Sequence, residues 1–153
     1  MADPADVEAV RRLLGREPLA DFEVIVRSPE GMPVVIRNAP LLPDGTPMPT
    51  RFWLVGQAER VAVSRLESEG MVDVAEAAVD PEELAACHAR AEAERGAALP
   101  PDWTGPRAAG GVGGTRFGVK CLHAHYANHL AGNDDPVGRW VADVLAERAA
   151  SSA

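Results

Sequence analysis

The spacing of apolar residues changes along the chain, and each change predicts an element. Val7, Val10 and Leu14 recur at helical spacing, with Asp3 as N-cap, Pro4 at the first helical position and Gly15 as the stop. This predicts an inward-packing helix over 4–14. Phe22, Val24 and Val26 then alternate with Glu23, Ile25 and Arg27, and after the turn Ser28-Pro29-Glu30-Gly31 comes the run Val34-Val35-Ile36. That pattern predicts a β-hairpin. Arg51 to Val55 reads as an aromatic-rich strand, followed by a helix over 57–69 whose inner face is Ala58, Ala62 and Leu66 and which ends at Gly70.

Asp80-Pro81-Glu82-Glu83 is a strong helix start, with the stop expected near Arg95 and Gly96. Val119, Leu122, Tyr126 and Leu130 form one stripe of a helix over 119–131. Gly132 is its expected C-cap, Asp135 the next N-cap, and Val137, Trp140, Val144 and Leu145 the apolar face of a final helix. The last two helices should form an αα-hairpin. Two stretches break the pattern. Residues 38–50 carry Pro40, Pro43, Pro47 and Pro49, and 97–116 hold three prolines and five glycines without periodicity. A loop of the second length is usually functional or disordered.

The expected architecture is α+β, with a small, mainly antiparallel sheet from the N-terminal half packed against helices of the C-terminal half. At 153 residues the chain has the length of one domain, and 46% hydrophobic with 25% charged residues fits a globular protein. Net charge of -8 argues against nucleic acid as partner, since a phosphate-backbone binder needs a basic surface. No apolar run approaches the roughly 20 residues of a membrane span. The acidic start, Met-Ala-Asp-Pro-Ala-Asp-Val-Glu, lacks the charge pattern of a secretory leader, so a cytoplasmic location is expected. There Cys87 and Cys121 should be free thiols or metal ligands.

Candidate chemistry concentrates in Lys120 to His129, which holds three of four histidines, one of two cysteines and the only lysine. On a regular helix Cys121, His125 and His129 lie one turn apart along one flank, with His123 on the other. The row suits zinc, with Cys87 or His88 as the nearest source of a fourth ligand. A second reading is an anion site. Gly110 to Gly114 can approach a ligand closely, a helix N-terminus favours negative charge, and Arg107, Arg116 and Lys120 add cations. The spacing is not that of a phosphate-binding P-loop. A third reading makes Cys121 a nucleophile, its thiol favoured by Lys120 and the helix start, with His123 or His125 as base.

Val119-Lys120-Cys121-Leu122-His123, with Ala127, Leu130 and Ala131, resembles the signature of a mostly actinobacterial family, domain of unknown function 501. The resemblance extends to Leu14-Gly15-Arg16, Pro29-Glu30-Gly31-Met32-Pro33, Leu42-Pro43-Asp44-Gly45-Thr46-Pro47, Pro49-Thr50-Arg51 and Ser64-Arg65-Leu66-Glu67. It assigns no activity. It implies a genomic context near a septum-formation initiator and an exopolyphosphatase, hence a protein partner in cell division or envelope assembly as one expectation. It also centres on Lys120 to His123 rather than on His125 and His129. Ser28 stands where relatives can carry cysteine, and Asn128 where some carry histidine.

The reading preferred on sequence is therefore a pocket for a small anion, phosphate-containing, at the helix start. In it Arg116, Lys120 and Arg107 bind, Cys121 and His123 supply any chemistry, and no cofactor is required. The alternative is a non-enzymatic interaction module, zinc-stabilised through Cys121, His125 and His129.

Overall fold

A computed structural model describes residues 2–152. It contains helix α1 (Pro4–Leu14), strands β1 (Phe22–Arg27), β2 (Pro33–Asn38) and β3 (Phe52–Leu54), then helices α2 (Gln57–Ser68), α3 (Met71–Ala78), α4 (Pro81–Ala97), α5 (Leu122–Leu130) and α6 (Pro136–Ser151). The architecture is α+β, with an antiparallel sheet in the order β1-β2-β3.

Alternation along β2 divides the core in two. Val35 and Leu54 are paired across β2 and β3 and face the later helices, where they meet Val63, Leu66, Leu122, Val137 and Val141. Ile36 points the other way, toward Val10 of α1, Phe22 and Val55. The sheet thus lies between α1 and the other helices. A register shift between Val24 and Val26 lets Val24 join the α1 side and Val26 the opposite side.

The caps form for the reasons the sequence gives. Asp3, Asp80 and Asp135 each accept a backbone N–H from the first turn of the helix they precede, and each is followed by proline. Gly15 takes the left-handed conformation that ends α1 (φ 72°).

Two boundaries differ from the expectation. Gly70 does stop α2, but it is also the residue before α3, a helix the periodicity did not predict. The helix expected over 119–131 begins only at Leu122, because Cys121 is fully extended (φ -152°, ψ 154°). Lys120 therefore lies before the helix, and Cys121 does not continue the row of His125 and His129.

The long connection from α4 to α5 is pinned in place. Arg95, 4% exposed, donates from its guanidinium to the carbonyls of Pro49, Ala108, Gly110 and Gly111. It ties the proline-rich arm to the glycine-rich loop. The latter makes a short 3-10 turn at Val112–Gly114 and packs against α5, bringing Gly113 beside Ala124.

Candidate functional site

Backbone N–H groups of the glycine-rich loop and the start of α5 would be natural anion donors, but the protein's own side chains occupy several of them. Glu92 accepts from Gly110 N–H at 2.7 Å, Glu76 from Val119 N–H at 2.6 Å and Glu67 from Leu122 N–H at 2.7 Å. Val112 N–H donates to Nδ1 of His88, whose Nε2–H therefore donates to the Gly118 carbonyl at 2.9 Å. Burial accordingly holds the His88 imidazole below its ordinary pKa. The loop is a braced wall whose backbone donors are largely used internally.

The charges beside that wall are arranged differently. Lys120, Cys121 and His123 line one cleft of about 440 Å³ together with Arg16, just after α1, and Arg60 and Ser64 of α2. Thr50 and β3 close its far side. None of the lining residues is an aspartate or glutamate. Lys120 Nζ lies 3.5 Å from the Gly113 carbonyl, Arg60 donates to the Leu13 carbonyl, and the Arg16 guanidinium stands 5.4 Å from the ring centre of Trp53. Among the described residues none of these three cations pairs with a carboxylate.

His123 bridges the cleft to α2. Its Nδ1 lies 3.1 Å from Oε2 of Glu67, and its Nε2 lies 3.1 Å from Oγ of Ser64. A carboxylate only accepts, so the neutral ring carries its proton on Nδ1, and Nε2 accepts from the Ser64 hydroxyl.

Cys121 is half-buried. Burial pushes its thiol up, against smaller opposing effects of nearby backbone N–H groups and Lys120, so it is a thiol and not a thiolate at neutral pH. Arg116 and Arg107 stand apart from this cleft. Arg116 is exposed on the loop, and Arg107 lines a separate hollow with Glu92, Arg95 and Leu99.

Arg16, Arg60 and Ser64 were not among the residues expected from sequence. A signal for two of them was present, because Leu14-Gly15-Arg16 and Ser64-Arg65-Leu66-Glu67 belong to the segments that carry the family resemblance. These segments, with Thr50 and Lys120 to His123, are far apart in sequence and meet at this cleft.

His125 takes part in another group. Its Nδ1 lies 2.8 Å from Oδ2 of Asp135, and both side chains are buried. Asp135 also accepts from Asn128 at 2.9 Å and from Gly138 N–H at 2.9 Å. Burial alone would raise the Asp135 pKa, but the bonds from His125, Asn128 and Gly138 together bring it below the usual carboxylate value. Cys87 adjoins this pair, and burial with the neighbouring carboxylate pushes its thiol up to about 12. Cys87, His125 and Asp135 offer ligand atoms within 4.8 Å of one another. Cys121 and His129 are not in that group, and His129 instead stacks on Tyr126.

Residues 24–143 match the model of a family described as a protein of unknown function, DUF501. No curated protein and no solved structure matches the chain.

Proposed function

The chain belongs to the DUF501 family, whose function is unknown, and we propose that it binds a small phosphate-containing anion in the cleft where α5 begins. One observation carries this reading. Lys120 shares the cleft with Arg16 and Arg60, none of which pairs with a carboxylate among the described residues, the neighbouring Glu67 is taken up by His123 and the Leu122 N–H, and the chain as a whole has a net charge of -8. A local cationic concavity with low-dielectric walls concentrates anions even on an acidic protein. Its volume is in the range of small-ligand sites.

In this reading Lys120, Arg16 and Arg60 neutralise the anion. Arginine suits bidentate phosphate contacts and lysine acts as a point charge. His123 and Ser64 supply hydrogen-bonding groups to the cleft. Cys121 forms part of the wall as an uncharged thiol, which supports a binding site more than nucleophilic chemistry. Arg107 and Arg116 have no part in it.

The test is thermal unfolding against inorganic phosphate, pyrophosphate, sugar phosphates and nucleotides. At least one should raise the midpoint for the native chain, and Lys120→Met should abolish that rise. Stabilisation that persists unchanged in Lys120→Met, or is absent across the panel, contradicts the reading.

A second reading, an interaction module, draws on the groove between α1 and α2, where Met32 and Val61 are about half exposed (47% and 52%) beside Arg12 and Arg65. Direct binding between the purified chain and a septum-formation initiator, weakened by Val61→Glu, is the outcome it expects. Absence of binding removes it.

A further inference from the structure

We propose that the cleft takes a nucleotide, with the phosphate at Lys120, Arg16 and Arg60 and one hydrogen-bonding edge of the base paired with the backbone N–H and C=O of Phe52. This assignment rests on the anion binding proposed above and names the body of the ligand. β3 is an edge strand, since the sheet order is β1-β2-β3. In an antiparallel ladder successive residues alternate, one turning both backbone groups to its neighbour and the next turning both away. Asn38 N–H donates to the Arg51 carbonyl and Val55 N–H to the Val34 carbonyl, so Arg51, Trp53 and Val55 face β2. Phe52 and Leu54 therefore present N–H and C=O on the free edge. Among the described residues neither enters a backbone hydrogen bond outside the sheet.

That edge opens into the cleft. Side chains alternate between the two faces of a strand. Phe52 and Leu54 pack with the later helices and Trp53 on the α1 side, yet all three line the cleft together with Thr50. A cleft touched by both faces of a strand runs along its edge, where the backbone is. The polar side chains opposite are turned elsewhere, Arg60 to the Leu13 carbonyl, Ser64 to His123 and Lys120 to the Gly113 carbonyl. Leu54 is 6% exposed, and Phe52 is the more open of the two.

The free edge selects the ligand's chemistry. N–H and C=O of one outward residue lie side by side and match a rigid planar group that carries an acceptor next to a donor. The Watson–Crick edge of each nucleobase is such a group. Inorganic phosphate has no such edge, and sugar hydroxyls lack its rigidity. The size agrees, because a cleft of about 440 Å³ lies in the range of small-ligand sites and inorganic phosphate would fill only a small part of it. The edge is three residues long and is closed in by α2 and the start of α5, which leaves no run for an added peptide strand.

The experiment titrates the full chain, its backbone amide resonances assigned, with adenosine, guanosine, cytidine and uridine monophosphates, ribose 5-phosphate and inorganic pyrophosphate. At least one nucleotide should bind at least about tenfold more tightly than ribose 5-phosphate, the gain expected from the added hydrogen bonds. It should also shift the Phe52 amide resonance, which ribose 5-phosphate leaves in place. Phe52→Pro removes that N–H at an edge position where proline is tolerated, and should bring the nucleotide down to the affinity of ribose 5-phosphate. Phe52→Ala also loses the ring but keeps the N–H, and should retain the preference. Nucleotides that bind no better than ribose 5-phosphate, an unmoved Phe52 amide, or a preference that survives Phe52→Pro overturn the base assignment and leave the anion site standing. If Phe52→Pro does not fold, the amide shifts and relative affinities of the native chain decide in the same way. Failure of every phosphate compound to bind contradicts the anion site itself, and the base assignment with it.

Discussion

Glu67 of α2 and His123 of α5 meet beside the cleft, with Oε2 of the first 3.1 Å from Nδ1 of the second. The same oxygen accepts the Leu122 N–H at 2.7 Å, so one carboxylate both caps α5 and sets the orientation of its first histidine. The cap comes from another helix, not from the residue preceding α5, since Cys121 makes no side-chain capping bond.

Glu67→Ala should therefore lower stability by about 1 kcal/mol, the usual cost of losing an N-terminal cap. Glu67→Gln keeps an acceptor for Leu122 and should cost less. Urea unfolding of the two variants checks the order, and equal losses would argue against capping as the main role.

Arg95 should matter more than its surface neighbours. Its guanidinium serves four carbonyls that methionine would leave without a donor, and Arg95→Met should cost about 3 kcal/mol. Lysine lacks the planar fork and should not restore the loss. Limited proteolysis should show cleavage within 98–116 in the methionine variant before the rest of the chain is cut. Unchanged stability and protection would contradict the bracing role.

Two glycines separate lack of space from conformational strain. A Cβ on Gly111 would lie 2.4 Å from Cα of His88, which is backbone and cannot swing aside. Gly111→Ala should destabilise by about 1–3 kcal/mol or more through overpacking. Gly132 has open space around it but a φ of 97°, so Gly132→Ala should cost about 1–2 kcal/mol through strain alone. Thermal unfolding of both variants measures the difference. Only Gly111→Ala should also loosen the loop against proteolysis.

The buried groups predict the direction of the pH dependence. The folded pKa of His88 lies below its ordinary 6.5, mainly because burial disfavours the charged ring. As pH falls through 6.5 the unfolded chain takes up this proton first, so the His88 contribution is complete above 6.5 and is lost toward the lower folded value. Asp135 follows at lower pH. Its folded pKa is depressed below 3.8, so its contribution is present above that value and lost as pH falls through the folded one. Urea midpoints should therefore fall between about pH 7.5 and about pH 5.5, and His88→Gln should flatten that slope even though it lowers the absolute stability. A slope unchanged by His88→Gln would contradict the assignment.

Most of the fold was legible because its signals are local. Asp-Pro at three helix starts, glycine at the end of α1 and alternation through β1 and β2 act within a few residues. The missed helix α3 shares Gly70 with the end of α2, and a glycine that stops one helix conceals the start of the next. The late start of α5 depends on Glu67, 55 residues earlier, and periodicity cannot report so distant a cap.

The candidate site was legible in part for the same reason. Lys120, Cys121 and His123 are adjacent in sequence and do share a cleft, whereas Arg16, Arg60 and Ser64 reach it only through packing of the segment after α1 and of α2. Asp135 was readable as a cap. Its bond to His125 depends on how α5 and α6 pack, so the helical wheel grouped His125 with Cys121 and His129 instead.

Anion binding at Lys120 is measured most directly by calorimetric titration with inorganic pyrophosphate. The native chain should bind with a Kd of about 1 mM or tighter, and Lys120→Met should bind at least about tenfold more weakly, a loss of about 1.4 kcal/mol. Native affinity in Lys120→Met would contradict it, as would failure of the native chain to bind pyrophosphate or any other phosphate compound of the panel.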